Sequence, residues 1–363
     1  MPAGGARSRR RRMFTRGTQV TVPARPARPA VIGDVARLAG VSNQTVSRVL
    51  NNRTDVRPDT RVRVLDAVRQ LNYRPNAMAR GLVRRRSHLL GVVSFDTVLF
   101  GPATTLLGIG RAARAAGYGV NIVTPDSVDR AGVVEAVETL ASQAVAGVII
   151  VFVPQAAAAA ALYSLPSGLP VVAIEAGIDD EIPIVRVDQV AGARLAVEHL
   201  LGLGHQTVWH LAGPRDRLDA QDRVEGWRAT LEAAGRGVPP LLVGDWGAES
   251  GFRAGLELVH RPDVTAVFAA NDQMALGLLR ALHESGVRVP DDVSVVGFDD
   301  IPEAGYLIPP LTTIRPDHDE VGRRSVTALL HLLERGIPGD GGLDAQPRIV
   351  PTLVRRRSTA ARA

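Results

Sequence analysis

DVARLAGVSNQTVSRVLN, residues 34–51, decides how the first part of the chain folds. Val35, Ala36, Leu38 and Ala39 fall at helical spacing, Gly40 breaks the run, and Ser42 stands where an N-cap would start a second helix carrying Val46, Val49 and Leu50. A third helix is expected after Pro58 and Asp59, with Val62, Leu65, Val68 and Leu71 on one stripe. Three short helices around one small core, carrying Arg37, Arg48, Arg53, Arg57, Arg61 and Arg63, fit a helix-turn-helix that reads DNA.

Charge supports that reading. Residues 1–86 hold 20 arginines and 4 acidic residues, whereas residues 87–363 hold 23 arginines and 33 acidic residues, so a net of +6 conceals a cationic end joined to an acidic body. No lysine occurs, and no cysteine, which excludes disulfides, thiolate metal sites and a cysteine nucleophile. With 45% hydrophobic and 22% charged residues over 363 positions, two or three folded domains are expected. Residues 1–29 are rich in Arg, Pro and Ala without apolar period and read as a disordered arm, either a DNA-contacting extension or a leader ahead of a start at Met13. No secretory signal and no membrane-length apolar run stands out, so a cytoplasmic location is expected.

Beyond Arg86 apolar runs alternate with helical patterns. Strands are expected at 89–94, 120–124, 148–153, 171–174, 208–211, 241–243, 266–269 and 293–297, with helices at 104–116, 192–203, 221–234 and 274–285 among them. That alternation implies doubly wound parallel sheets, in which ligands sit beyond the carboxyl ends of the strands.

Eight motifs in order resemble the LacI/GalR family over residues 31–357. They are Asp34 to Ser42, Gln44 to Asn51, Asn72 to Leu82 (NYRPNAMARGL), His199-Leu200 with Gly204-His205, Leu211 to Pro214, Asn271 to Gly277, Val295 to Asp300 and Pro310 to Thr313. Residues 42–48 and 244–252 (GDWGAESGF) look closer to the lactose-responsive branch than to the purine-responsive one. The resemblance implies an all-α helix-turn-helix headpiece plus an α/β two-lobed periplasmic-binding-protein-like sensor. Its expected parts are a headpiece at 30–75, a hinge helix and linker at 76–87, a sensor at 88–357 and a tail at 358–363. The sensor divides into an N-lobe of about 88–188 and 318–345 and a C-lobe of about 189–317 and 346–357.

The family pattern places Ser42, Asn43, Gln44, Thr45, Ser47, Arg48 and Asn51 on the duplex, and Asn76, Ala79 and Leu82 in a hinge helix whose leucine wedges into the minor groove. Gln44 suits adenine and Arg48 guanine; Ser42 and Asn51 equally suit a helix cap and a helix stop. Around the cleft the resemblance places Phe95, Leu99 and Pro102 as walls, Asp299, Arg223 and Asn271 as polar contacts, Trp246 as a flat face for a sugar or else as ordinary core, and Glu175 where the family carries the shorter Asp. Trp209 and Trp227 are expected in the core, Asp300 as a structural carboxylate or cap, and Asp272 at a helix start. The eight histidines show no metal spacing, and no cofactor is implied. The implied function is a homodimeric repressor on a palindromic operator, answering allosterically to a sugar, with galactoside-like sugars among the candidates. A purine or nucleoside is the alternative effector. More remote are a sugar-binding protein for uptake and a glycosidase using Glu175 and Asp299.

Overall fold

The computed structural model describes residues 28, 30–51, 53–73, 87–95, 97–127, 129–151, 168–175, 182–335 and 347–362. It divides into two compact units at 83/84.

The first unit holds α1 (Ile32–Ala39), α2 (Asn43–Leu50) and α3 (Pro58–Gln70). Gly40 ends α1 in the left-handed conformation at φ 65, letting the Val41 N–H reach back to the Ala36 carbonyl at 2.9 Å, and the chain turns straight into α2. Val31 supplies no side-chain cap; instead the Asp34 carboxylate accepts from the Val31 N–H at 3.1 Å. Val35, Ala36, Ala39, Val46, Val49, Val64 and Ala67 form the core. The expected stripe of α3 needs correction. Val62 and Leu65 are exposed, and the buried face is Val64 and Ala67 with Val68 and Leu71 packed beside them, so the true stripe starts two residues later than Val62. Leu38 is exposed as well.

The second unit contains two sheets. The first has the order β2 (Gly119–Val123), β1 (Leu89–Ser94), β3 (Val148–Val151), β4 (Val171–Ile174), β5 (Ile184–Val185), all parallel. Helices α4 (Phe100–Ala115) and α5 (Arg130–Ser142) belong to its windings. The second sheet has the order β11 (Thr352–Val354), β10 (Thr312–Arg315), β9 (Ser294–Phe298), β8 (Ala266–Ala269), β6 (Trp209–Ala212), β7 (Leu242–Val243). Its helices are α6 (Gln189–Gly202), α7 (Leu218–Ala233), α8 (Ala248–Leu258) and α9 (Asp272–Glu284). The edge strand β11 departs from the all-parallel expectation by pairing antiparallel with β10. Central strands are buried on both faces, which is why they read as continuous Val, Ile and Leu runs.

The chain crosses between the sheets more than once. It passes from β5 to α6 through residues 186–188, and from β10 to α10 (His318–Arg335), which packs on the first sheet. It returns to reach β11, and Val187 and Ile349, one on each of two crossings, form a parallel bridge. The closing residues are docked rather than loose: buried Ser358 accepts from the Thr312 N–H at 2.8 Å and donates to the Val295 carbonyl at 2.6 Å.

Candidate functional site

In the helical unit, α2 presents Asn43, Gln44 and Arg48 to solvent, with Thr45 and Ser47 half-buried. Ser42 does cap the helix, its Oγ accepting from the Thr45 N–H at 3.2 Å. Asn51 closes it, its amide donating to the Ser47 carbonyl at 2.8 Å. Asn76, Ala79 and Leu82 lie outside the described residues.

In the α/β unit, the strand ends carry the polar residues. Glu175 follows β4 and Asp299 follows β9, and both adopt positive φ, 50 and 107. Trp246, shortly past β7, does so at φ 73 and Asp300 at φ 53, so four of six such non-glycine positions among the described residues follow strand ends of the two sheets. Left-handed backbone at a bulky residue costs on the order of 1–3 kcal/mol and persists only where the surroundings impose it.

Arg223, on α7, organises the site. Its Nε donates to Gln189 Oε1 at 2.9 Å, Nη1 donates to the Ala270 carbonyl, and Nη2 lies 3.9 Å from Asp299. Its guanidinium sits 3.7 Å from the centre of the Phe298 ring and 5.5 Å from that of Trp246. Gln189, at the start of α6, donates through Nε2 to Glu175 Oε1 at 3.2 Å, and the Val187 N–H donates to the same oxygen at 2.7 Å. A continuous hydrogen-bonded path therefore runs from the end of a first-sheet strand to a helix of the second.

Burial pushes the Glu175 and Asp299 carboxyls up to about 7, with Arg223 pulling each the other way. Glu175 Oε2, Trp246 Nε1 and His318 Nε2 are buried without a hydrogen-bond partner among the described residues. Such atoms are costly to leave dry and unpaired, and Trp209 Nε1 and His210 Nε2 in the second-sheet core share that state. His318 begins α10 with Nδ1 3.4 Å from Thr105 Oγ1 and its ring edge-on to Phe100; burial holds it down to about 4, so it is neutral near pH 7.

Asn271 is more committed than its sequence position suggests. Its Oδ1 caps α9 by accepting from the Met274 N–H at 2.9 Å, while Nδ2 donates to the Trp246 carbonyl at 3.0 Å. The cap is thus Asn271, not Asp272. Asp272 instead accepts from Thr313 Oγ1 at 2.7 Å and the Ile301 N–H at 2.9 Å, and burial pushes it up to about 8. Asp300 is a structural carboxylate, paired with Arg315 at 2.5 Å and Arg356 at 2.6 Å.

Of the expected walls, Leu99 packs with Phe100 against the second-sheet cluster that includes Trp246, whereas Phe95 is buried in the cluster against α5 and Pro102 is buried in α4. Trp209 and Trp227 are core. Sequence reasoning missed Gln189 and His318. Gln189 directly follows the strand-end segment 184–188, and His318 stands two residues after Pro316, beside the Pro310 to Thr313 motif; those were the available signals. Among the described residues no group of three His, Cys, Asp or Glu is placed to hold a metal ion, and no helix is long and apolar enough to cross a membrane.

Comparison with known proteins agrees with both units. Residues 31–76 match the model for bacterial regulatory proteins of the lacI family, and residues 197–359 match a periplasmic binding protein-like domain. The lactose operon repressor of Escherichia coli (strain K12) is 38% identical over 344 residues, covering 92% of each chain. A lac repressor dimer bound to operator and the anti-inducer ONPF superposes with a TM-score of 0.81 at 36% identity, covering 92% of this chain and 100% of that one. A complex of the transcriptional regulator CelR with cellobiose gives 0.68 at 32% identity, covering 91% and 99%.

Proposed function

This chain belongs to the LacI family of bacterial regulatory proteins, and from that membership we propose that it is a cytoplasmic transcriptional repressor. It grips a palindromic operator as a homodimer and takes a sugar between its two lobes, which changes that grip. The observation that carries the proposal is the Glu175–Gln189–Arg223–Asp299 path, because a molecule seated on it would touch both sheets at once and so favour one lobe arrangement over another.

The lobes are assigned as residues 88–188 with 318–345 and residues 189–317 with 346–357, in keeping with α10 packing on the first sheet and β11 pairing in the second. Residues 76–87 are assigned to a hinge. The effector-binding residues are Leu99, Glu175, Arg223, Trp246, Asn271 and Asp299, with Phe95 and Pro102 behind them. Buried carboxylates and a guanidinium facing an indole suit a neutral polyol, whose hydroxyls donate to one and accept from the other while its C–H face lies on the ring. The dimer reading draws support from an apolar groove of about 480 Å³ on α8 and α9, lined by Ala248, Phe252 and Leu276, and from exposed Tyr306 and Ile308 on the same lobe.

The test is a mobility shift on the DNA upstream of the protein's own gene, repeated with mono- and disaccharides. A retarded band whose intensity changes with one sugar supports the proposal. A retarded band indifferent to every sugar but altered by purines would move the effector to the nucleoside class.

A further inference from the structure

Resting on the DNA-reading assignment of α2, we infer that Asp55 is a specificity-determining residue: it holds the Arg48 guanidinium in place so that Arg48 reads a guanine instead of drifting to a phosphate. Asp55 lies in the turn between α2 and α3, and its Oδ2 is 3.6 Å from Arg48 Nη1. The two side chains keep 49% and 57% of their surface in water, so the pair adds little to folding. Both line one groove of about 330 Å³ that also includes Ser42, Thr45, Arg57 and Thr60, beside the exposed Asn43 and Gln44 of α2.

A carboxylate at that place carries a cost. It repels phosphates and opposes the counterion release that drives binding, in a unit otherwise crowded with arginine. The other acidic residues of the helical unit serve its helices. Asp34 accepts from the Val31 N–H and pairs with Arg28 and Arg37, Asp59 lies in the first turn of α3, and Asp66 pairs with Arg69. Asp55 faces the base-reading arginine.

Guanidinium geometry supplies the reason. Arginine offers five N–H donors in a planar fork, and a carboxylate that draws on Nη1 alone leaves Nε and Nη2 to donate to O6 and N7 of guanine. A fork biased toward Asp55 loses less side-chain freedom on binding and is drawn away from the backbone, where contact carries no sequence information.

The test is selection of the full-length protein on a random-sequence duplex library, comparing wild type, Asp55→Asn, Asp55→Ala and Arg48→Ala. Binding to poly(dA-dT), which offers no O6/N7 acceptor pair, is measured alongside at several salt concentrations. Wild type should enrich a half-site containing a guanine that Arg48→Ala no longer requires. Both Asp55 variants should lose about tenfold in preference at that same base pair while binding poly(dA-dT) more tightly, with a salt dependence steeper by about one unit of slope. Unchanged melting temperatures would show that the effect is not one of folding. Overturning results are an intact guanine preference in both Asp55 variants, or a uniform loss on every sequence. Enrichment of no motif by wild type would instead defeat the DNA-reading assignment itself.

Discussion

In the headpiece, Arg48 leaves about half of its side chain in water and meets Asp55 at 3.6 Å; in the sensor, Arg223 keeps 5% exposed and meets Asp299 at 3.9 Å. The pairs are of similar length and different physics. Water screens the first, so the charge of Arg48 stays available to a partner outside the protein. The second is out of water, and Arg223 must be satisfied by Gln189, Ala270, Phe298 and Asp299. On the proposed reading, the first arginine is exposed beside Asp55 for recognition and the second is buried to assemble a site, so their removal should have opposite signatures.

Arg223→Ala should have the largest effect. It strands buried carboxylates and breaks the bridge to Gln189, and a loss of about 3–5 kcal/mol is expected by chemical denaturation, together with loss of effector response. The loss should shrink at pH 6, where Glu175 and Asp299, both pushed up to about 7, take up protons. An equal loss at pH 6 and pH 8 would mean that those carboxylates are not what Arg223 balances.

Gly213→Ala comes next. A Cβ there would stand 2.3 Å from the Trp246 ring, so the indole must move; about 1–3 kcal/mol of stability should be lost and sugar binding weakened, read by melting with and without ligand.

A smaller effect is expected from pH alone. Between pH 6.5 and 8 the folded state retains protons on Asp272, Glu175 and Asp299 that the unfolded chain has released, so stability should fall as pH rises through that window. Below it, neutral His318 and His210, held down to about 4 and about 3, act in the opposite sense, because the unfolded histidines bind protons first. A melting temperature that rises from pH 6.5 to 8 would contradict this balance. Arg48→Ala completes the series: stability should change by no more than about 0.5 kcal/mol while base preference relaxes, measured by melting and by selection.

Much of the architecture was legible in the sequence because buried parallel strands leave unbroken apolar runs, as at Val148 to Val151 and Ala266 to Ala269. Ile184–Val185 is too short to announce itself, and Thr312–Arg315 carries threonine and arginine in a strand bordered by β11, so neither stood out. The α3 stripe went astray because Val62 and Leu65 match the helical period as well as Val64 and Val68 do; only packing against α1 and α2 separates the two faces. Family motifs carried the residues Asp299, Arg223 and Trp246 as expectations. Gln189 and His318 were not readable, since what makes them notable is a neighbour distant in the chain: Arg223 for Gln189, Thr105 for His318.

The central claim is that ligand and DNA draw on the same conformational equilibrium. Its most direct test is fluorescence anisotropy of the full-length protein on the duplex its own selection yields, at fixed salt, with and without saturating amounts of a sugar shown to raise its melting temperature. The account predicts a change in Kd of about fivefold or more. The same Kd in both titrations, with the sugar demonstrably bound, would contradict it.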